Sequence, residues 1–198
     1  AQILRRPYGQ AGQSSWQNGQ VADHPNTANQ VAGGLEWFPE LNGGSGGLVF
    51  VDAVGASWSN AALSSWSHTP PLTSGNYHNW IAHAGGLIYW GGGNGSSVMY
   101  QLGPTGAAVA MPNTPLSAGV NTESAIVVRH PNGADLLLFE VGAMGAIHRF
   151  DGISWSNIGV HQINTTSLWI GVPIPEYGVL LFIAHPNDGT AAPYARVY

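Results

Sequence analysis

Apolar residues in this chain come in short runs rich in β-branched and aromatic side chains, each broken by Gly, Pro or Asn. None is sustained at helical spacing. Residues 80–119 show the pattern most fully. Trp80-Ile81-Ala82-His83-Ala84 is followed by a Gly85-Gly86 break, Leu87-Ile88-Tyr89-Trp90, and the cluster Gly91-Gly92-Gly93-Asn94-Gly95. Ser97-Val98-Met99-Tyr100-Gln101-Leu102, the turn Gly103-Pro104-Thr105-Gly106 and Ala107-Ala108-Val109-Ala110-Met111 complete it, before an exit through Asn113-Thr114-Pro115-Leu116-Ser117-Ala118-Gly119. Four such runs between turn residues predict a four-stranded antiparallel meander. The glycine cluster supplies the positive φ angles that tight turns require.

The rest of the chain reads as variations on this unit. Upstream, strands are predicted at Leu35–Phe38, Leu48–Val51, Ala56–Asn60 and Leu63–His68, with an exit over Thr69–Gly75. In that unit Trp58 falls a strand early for the fourth position, and Trp66 competes for it. A third unit carries Ala125–Val128, Leu136–Phe139, Ile147–Phe150 and Ser154–Asn157, with a His130-Pro131-Asn132-Gly133 turn. The fourth has Leu168–Ile170, Val179–Ile183 and Tyr194–Tyr198. Trp37, Trp80, the Glu123–Ile126 segment and Trp169 recur at a step of about 43 residues. A period in the low forties with four strands per unit is that of propeller blades.

The predicted fold is therefore all-β: a small β-propeller of about four blades over residues 34–75, 76–119, 120–163 and 164–198, after a polar Gln/Asn-rich segment at 1–33. The fourth unit shows three strands. Ser-Trp-x-Asn occurs at Ser57–Asn60, Ser154–Asn157 and Ser15–Asn18, so the Ser14–Asn18 strand is expected to pair with Tyr194–Tyr198 and close the ring. The alternative is an open arc of blades within a larger ring or an oligomer.

The second unit resembles a kelch-type blade, as in galactose-oxidase-like propellers, through Leu87-Ile88-Tyr89 running into Gly91-Gly92, and Tyr100. The third keeps the later Trp155 without the double glycine. It is also similar to blades of bacterial sugar-binding propeller lectins, in Pro131-Asn132-Gly133, Leu138-Phe139, Gly145-Ala146-Ile147-His148 and Trp155–Gly159. These resemblances imply an architecture more than an activity. Galactose-oxidase chemistry needs a Cys–Tyr crosslink, and this chain has no cysteine.

Composition narrows the function. Charged residues make up only 8% of the 198, against roughly 25% in ordinary soluble domains. A net charge of −5, with five Arg and no Lys, speaks against a nucleic-acid partner. No apolar run approaches the ~18 residues of a membrane-spanning helix. Without cysteine there is neither a disulfide nor a thiolate nucleophile. No nucleophile elbow, phosphate loop or zinc-binding helix is present.

Candidate chemistry is sparse. Most of the eight tryptophans are expected to wedge between blades. As sugar-stacking platforms, Trp90 beside the glycine cluster stands first, followed by Trp66 and Trp58, with Asn94 in that cluster as the fourth candidate ligand-binding residue. His-Pro-Asn at 24–26, 130–132 and 185–187 reads as three turns rather than a metal site, because Pro presets the turn and Asn tolerates its second corner. Asp52 and Glu140, at ends of second strands, are candidates to line a central channel, with hydrogen bonding to turn amides as the plainer role. The expected function is a non-enzymatic structural or recognition module, extracellular or carried on a virus particle such as a phage tail or capsid. It needs no cofactor or metal, and its partners are itself or other subunits of one assembly. A lectin for cell-surface glycans is the first alternative and a glycoside-cleaving enzyme the second.

Overall fold

The computed structural model describes residues 33–75, 78–120, 124–142, 145–161, 169–184 and 194–197. They form four antiparallel sheets, each a meander in chain order. Sheet 1 holds β1 (Gly34–Phe38), β2 (Gly47–Asp52), β3 (Gly55–Ser59) and β4 (Trp66–His68). Sheet 2 holds β5 (Asn79–Ala84), β6 (Leu87–Gly92), β7 (Met99–Leu102) and β8 (Ala108–Met111). In sheet 3 are β9 (Ala125–Arg129), β10 (Leu136–Glu140), β11 (Ala146–Phe150) and β12 (Trp155–Val160). Sheet 4 has three strands among the described residues, β13 (Trp169–Ile174), β14 (Val179–Ala184) and β15 (Tyr194–Val197). The all-β reading holds, and each strand predicted from Leu35 onward overlaps an observed one, with differences at the ends. The Ser14–Asn18 strand lies outside the described residues.

One ambiguity resolves cleanly. Trp58 belongs to the third strand of sheet 1 and Trp66 to the fourth, paired Trp58↔Ser67 and Ser59↔Trp66. The fourth strand starts later than Leu63, because that residue sits at φ 57° in a turn closed by Leu63 N–H to the Asn60 carbonyl at 3.0 Å. An extended ladder cannot include a left-handed residue there.

The sheets pack face to face in chain order. Phe38, Val49 and Val51 of sheet 1 meet Ile88, Trp90 and Leu102 of sheet 2. The opposite face of sheet 2, with Trp80, Ala82 and Tyr89, meets Val127, Leu138 and Phe150 of sheet 3. Val128, Phe139 and Ile147 then meet Leu180 and Phe182 of sheet 4, with Phe139 and Phe182 edge to face at 4.7 Å. Sheet 3 is covered on both faces, which is why Leu136-Leu137-Leu138-Phe139 is unbroken by polar residues where a half-exposed strand would alternate. Each of these fully buried large side chains contributes about 1.5–3 kcal/mol of transfer free energy.

The first strands run side by side, β1 against β5, β5 against β9 and β9 against β13. Two glycines set how closely they approach. A Cβ on Gly34 would lie 2.4 Å from Ile81 Cγ2, and one on Gly171 would lie 2.7 Å from Val128 Cγ1.

The end sheets differ from the middle pair. On sheet 1 the face turned away from sheet 2 carries Leu35 and Trp37, both exposed. On sheet 4 the face turned away from sheet 3 carries Ile170, Val172, Ile183 and Val197, likewise exposed.

Candidate functional site

The four residues proposed from sequence as a sugar platform are not gathered at one place. Trp90 is fully buried between sheets 1 and 2, its ring 5.3 Å from that of Tyr100. No ring face is left for a sugar to reach without opening the core, which removes it as a stacking platform. The Gly91–Gly93 segment that made Trp90 look loop-like is itself clamped. Gly93 N–H donates to the Val120 carbonyl at 2.8 Å, and Gly75 N–H donates to the Gly92 carbonyl at 2.8 Å. Gly92 and Gly93 do take the positive φ values expected, 70° and 88°. A Cβ on Gly93 would lie 2.3 Å from the Gly75 carbonyl oxygen, so the close approach also requires glycine.

Trp58 is half-buried against the same core, its indole on Gly106 in the β7–β8 turn of sheet 2. It is a wedge between sheets, the role expected of most of the tryptophans. Trp66 is half-buried on the outer strand β4, and Asn94 is exposed in the turn after β6.

The two carboxylates considered for a channel are also apart. Asp52 is buried, and its Oδ1 accepts from Val54 N–H at 2.8 Å and Gly55 N–H at 3.2 Å, the turn-capping role. Burial pushes its carboxyl up. The two amides and the charge of His68 oppose that without cancelling it. Glu140 takes neither a channel nor a turn-capping position: its Oε1 pairs with His148 Nε2 at 2.8 Å across sheet 3. His161, buried beside it, donates Nε2–H to the Glu140 carbonyl at 2.6 Å. The His130-Pro131-Asn132 segment is a turn, closed by Gly133 N–H to the His130 carbonyl, with Asn132 N–H also donating to His130 Nδ1 at 3.1 Å. The other two His-Pro-Asn segments lie outside the described residues. Among the described residues no three His, Asp or Glu side chains are grouped to hold a metal.

Polar groups do converge elsewhere. A cavity of about 220 Å³ is bordered by the first strands of all four sheets, with Glu36 of β1, Ile81 and His83 of β5, Val127, Val128 and Arg129 of β9, and Gly171 and Pro173 of β13. Glu36, His83 and Arg129 are half-buried there. Each is a titratable residue in an otherwise largely apolar strand, and that signal is readable in the sequence: an inner strand has little reason to hold a charge unless the charge faces a cavity. A second cavity, about 200 Å³ and apolar, lies between sheets 3 and 4, lined by Leu137, Phe139, Ile147, Ile158 and Leu180. Neither cavity is lined by Trp58, Trp66, Trp90 or Asn94.

His83 is held from behind. Its Nε2 lies 2.9 Å from Glu40 Oε2. A carboxylate only accepts, so the neutral imidazole carries its proton on Nε2 and keeps Nδ1 as an acceptor. Searches against protein-family models and curated proteins return no match for the chain, so its functional reading rests on this geometry.

Proposed function

We propose that the four sheets are the blades of a small propeller, and that the protein is a non-enzymatic structural or recognition module of an extracellular or virus-particle assembly. The architecture is supported by the four first strands bordering one cavity, and by the apolar outer faces of sheets 1 and 4. Faces of that kind seldom stay in water; packing on each other, they would close a ring. The N-terminal Ser-Trp-x-Asn strand is the proposed fourth member of sheet 4.

The observation that carries the functional reading is the chemistry of the outer strands. β4 reads Trp-Ser-His, β8 reads Ala-Val-Ala-Met, and β12 reads Trp-Ser-Asn-Ile-Gly-Val. None of these three contains Asp, Glu, Lys or Arg, and their titratable side chain is His68 of β4; β15, the last described strand of sheet 4, carries Arg196. Proteins that stay apart usually place charges, above all Lys, on such edges, and this chain has no Lys at all. β12 has one interruption, where the register skips Ile158. In β8 the pairing with β7 is regular throughout, with Val109 exposed. An uncharged, regular edge is a template for another strand, and the natural occupant is a second subunit of the same assembly.

Light scattering of the protein at micromolar concentration tests this. The native chain should associate, and V109K with I158K should shift it towards monomer without changing its β-sheet circular dichroism. A native chain that is monomeric at all concentrations would overturn the reading. The lectin alternative, with Trp90 inside the core and Trp58 wedged between sheets, would rest on Trp66 and Asn94, which line neither cavity.

A further inference from the structure

The cavity at the first strands holds opposite charges that do not meet. Glu36 comes from β1 and Arg129 from β9, and both strands pack on β5 between them. Sheet order thus holds the carboxylate and the guanidinium on strands that are not neighbours. The hydrogen bonds of the two groups are few. Among the described residues Glu36 Oε1 accepts from the adjacent Trp37 N–H alone, at 3.2 Å. Arg129 donates through Nε to the Gly133 carbonyl at 3.3 Å, and among the described residues its two terminal nitrogens have no partner. No ion pair among the described residues joins Glu36 to Arg129. Half-buried opposite charges left apart in one cavity lose water without gaining each other, an arrangement that a ligand carrying both signs would relieve.

We infer that this cavity binds a small zwitterion of the α-amino-acid class. The ligand carboxylate sits on Arg129, whose planar fork matches two carboxylate oxygens. Its ammonium group donates to the Glu36 carboxylate and, with the imidazole neutral, to His83 Nδ1, the ring nitrogen that does not face Glu40. Ile81, Val127, Val128 and Pro173 supply an apolar wall for an aliphatic side chain. The volume, about 220 Å³, is below the roughly 300–1,000 Å³ of pockets for drug-sized ligands, so a single amino acid fits and an oligosaccharide does not.

Calorimetric titration of the full chain with L-valine, isobutyrate, isobutylamine and glucose decides the matter. Valine should bind saturably. Isobutyrate and isobutylamine should each bind at least about tenfold more weakly, since each loses one charge-assisted contact, and glucose should not compete. R129Q should remove the preference for valine over isobutylamine, and E36Q the preference for valine over isobutyrate. If either variant fails to fold by circular dichroism, the four-ligand comparison on the native chain stands alone as the test. Absence of saturable valine binding, equal affinity for all four ligands, or unchanged preferences in folded variants would overturn the inference. Association is read by scattering and ligand binding by titration, so this proposal and the assembly reading fail separately.

Discussion

Glu40 and His83 bind sheet 1 to sheet 2 across 43 positions of sequence, Oε2 to Nε2 at 2.9 Å. The pair is partly exposed, with side-chain accessibilities of 40% and 19%, so water screens it. Exposed pairs of this kind contribute about 0.2–1 kcal/mol. E40Q should therefore lower unfolding free energy by less than about 1 kcal/mol. A double-mutant cycle with H83Q should give a coupling of the same small size. A much larger coupling would mean that the pair anchors the sheet interface rather than trimming it.

Trp90 should behave as core. W90A is expected to cost about 3–5 kcal/mol in denaturant unfolding, the usual range for emptying a large aromatic site. W90F should cost distinctly less. It leaves a smaller void, and it deletes an indole N–H that is buried with no hydrogen-bond partner among the described residues. Equal costs for the two would contradict this account of the site.

Asp52 links stability to pH. Its carboxyl is raised above the ordinary value near 3.8, chiefly by burial. The folded protein therefore holds that proton more tightly than the unfolded chain. The associated stability is present at low pH and is lost as pH rises from about 3.8 through the folded value. D52N keeps a neutral acceptor for the Val54 and Gly55 amides at every pH. Its stability relative to the native chain should accordingly improve as pH rises across that window, measured by urea unfolding from pH ~3 to ~7. An advantage that shrinks with rising pH would reverse the assignment.

The outer faces of sheets 1 and 4 permit a clean closure test, because the chain has no cysteine of its own. In L35C with V172C, oxidation should yield a crosslink within one chain if sheet 4 closes onto sheet 1. Disulfide-linked dimers and longer chains on a non-reducing gel would instead favour the open arc. The two outcomes separate by mass.

Much of the fold was legible because strands in this protein are punctuated locally. The Gly85-Gly86 and Pro131-Asn132-Gly133 breaks act within a few residues and need no distant partner. Sidedness was not legible in the same way. Trp90 follows a run of apolar residues and precedes glycines, which reads equally as a strand end or a loop. Its burial depends on Phe38 and Val49, more than forty positions upstream. Glu140 shows the same limit, since its partner His148 is fixed by the β10–β11 register rather than by any motif. Glu36, His83 and Arg129 became a site only once the first strands were seen to border one space.

The glycines at 34 and 171 carry a consequence for how such a molecule can evolve. Where neighbouring first strands leave no room for a methyl group, their spacing is fixed by those two side chains being hydrogen atoms. A methyl group at either position would have to be met by a smaller side chain on the facing strand, at Ile81 or at Val128. Substitutions at these glycines are therefore tied to the neighbouring repeat, and consecutive repeats must change together along their first strands.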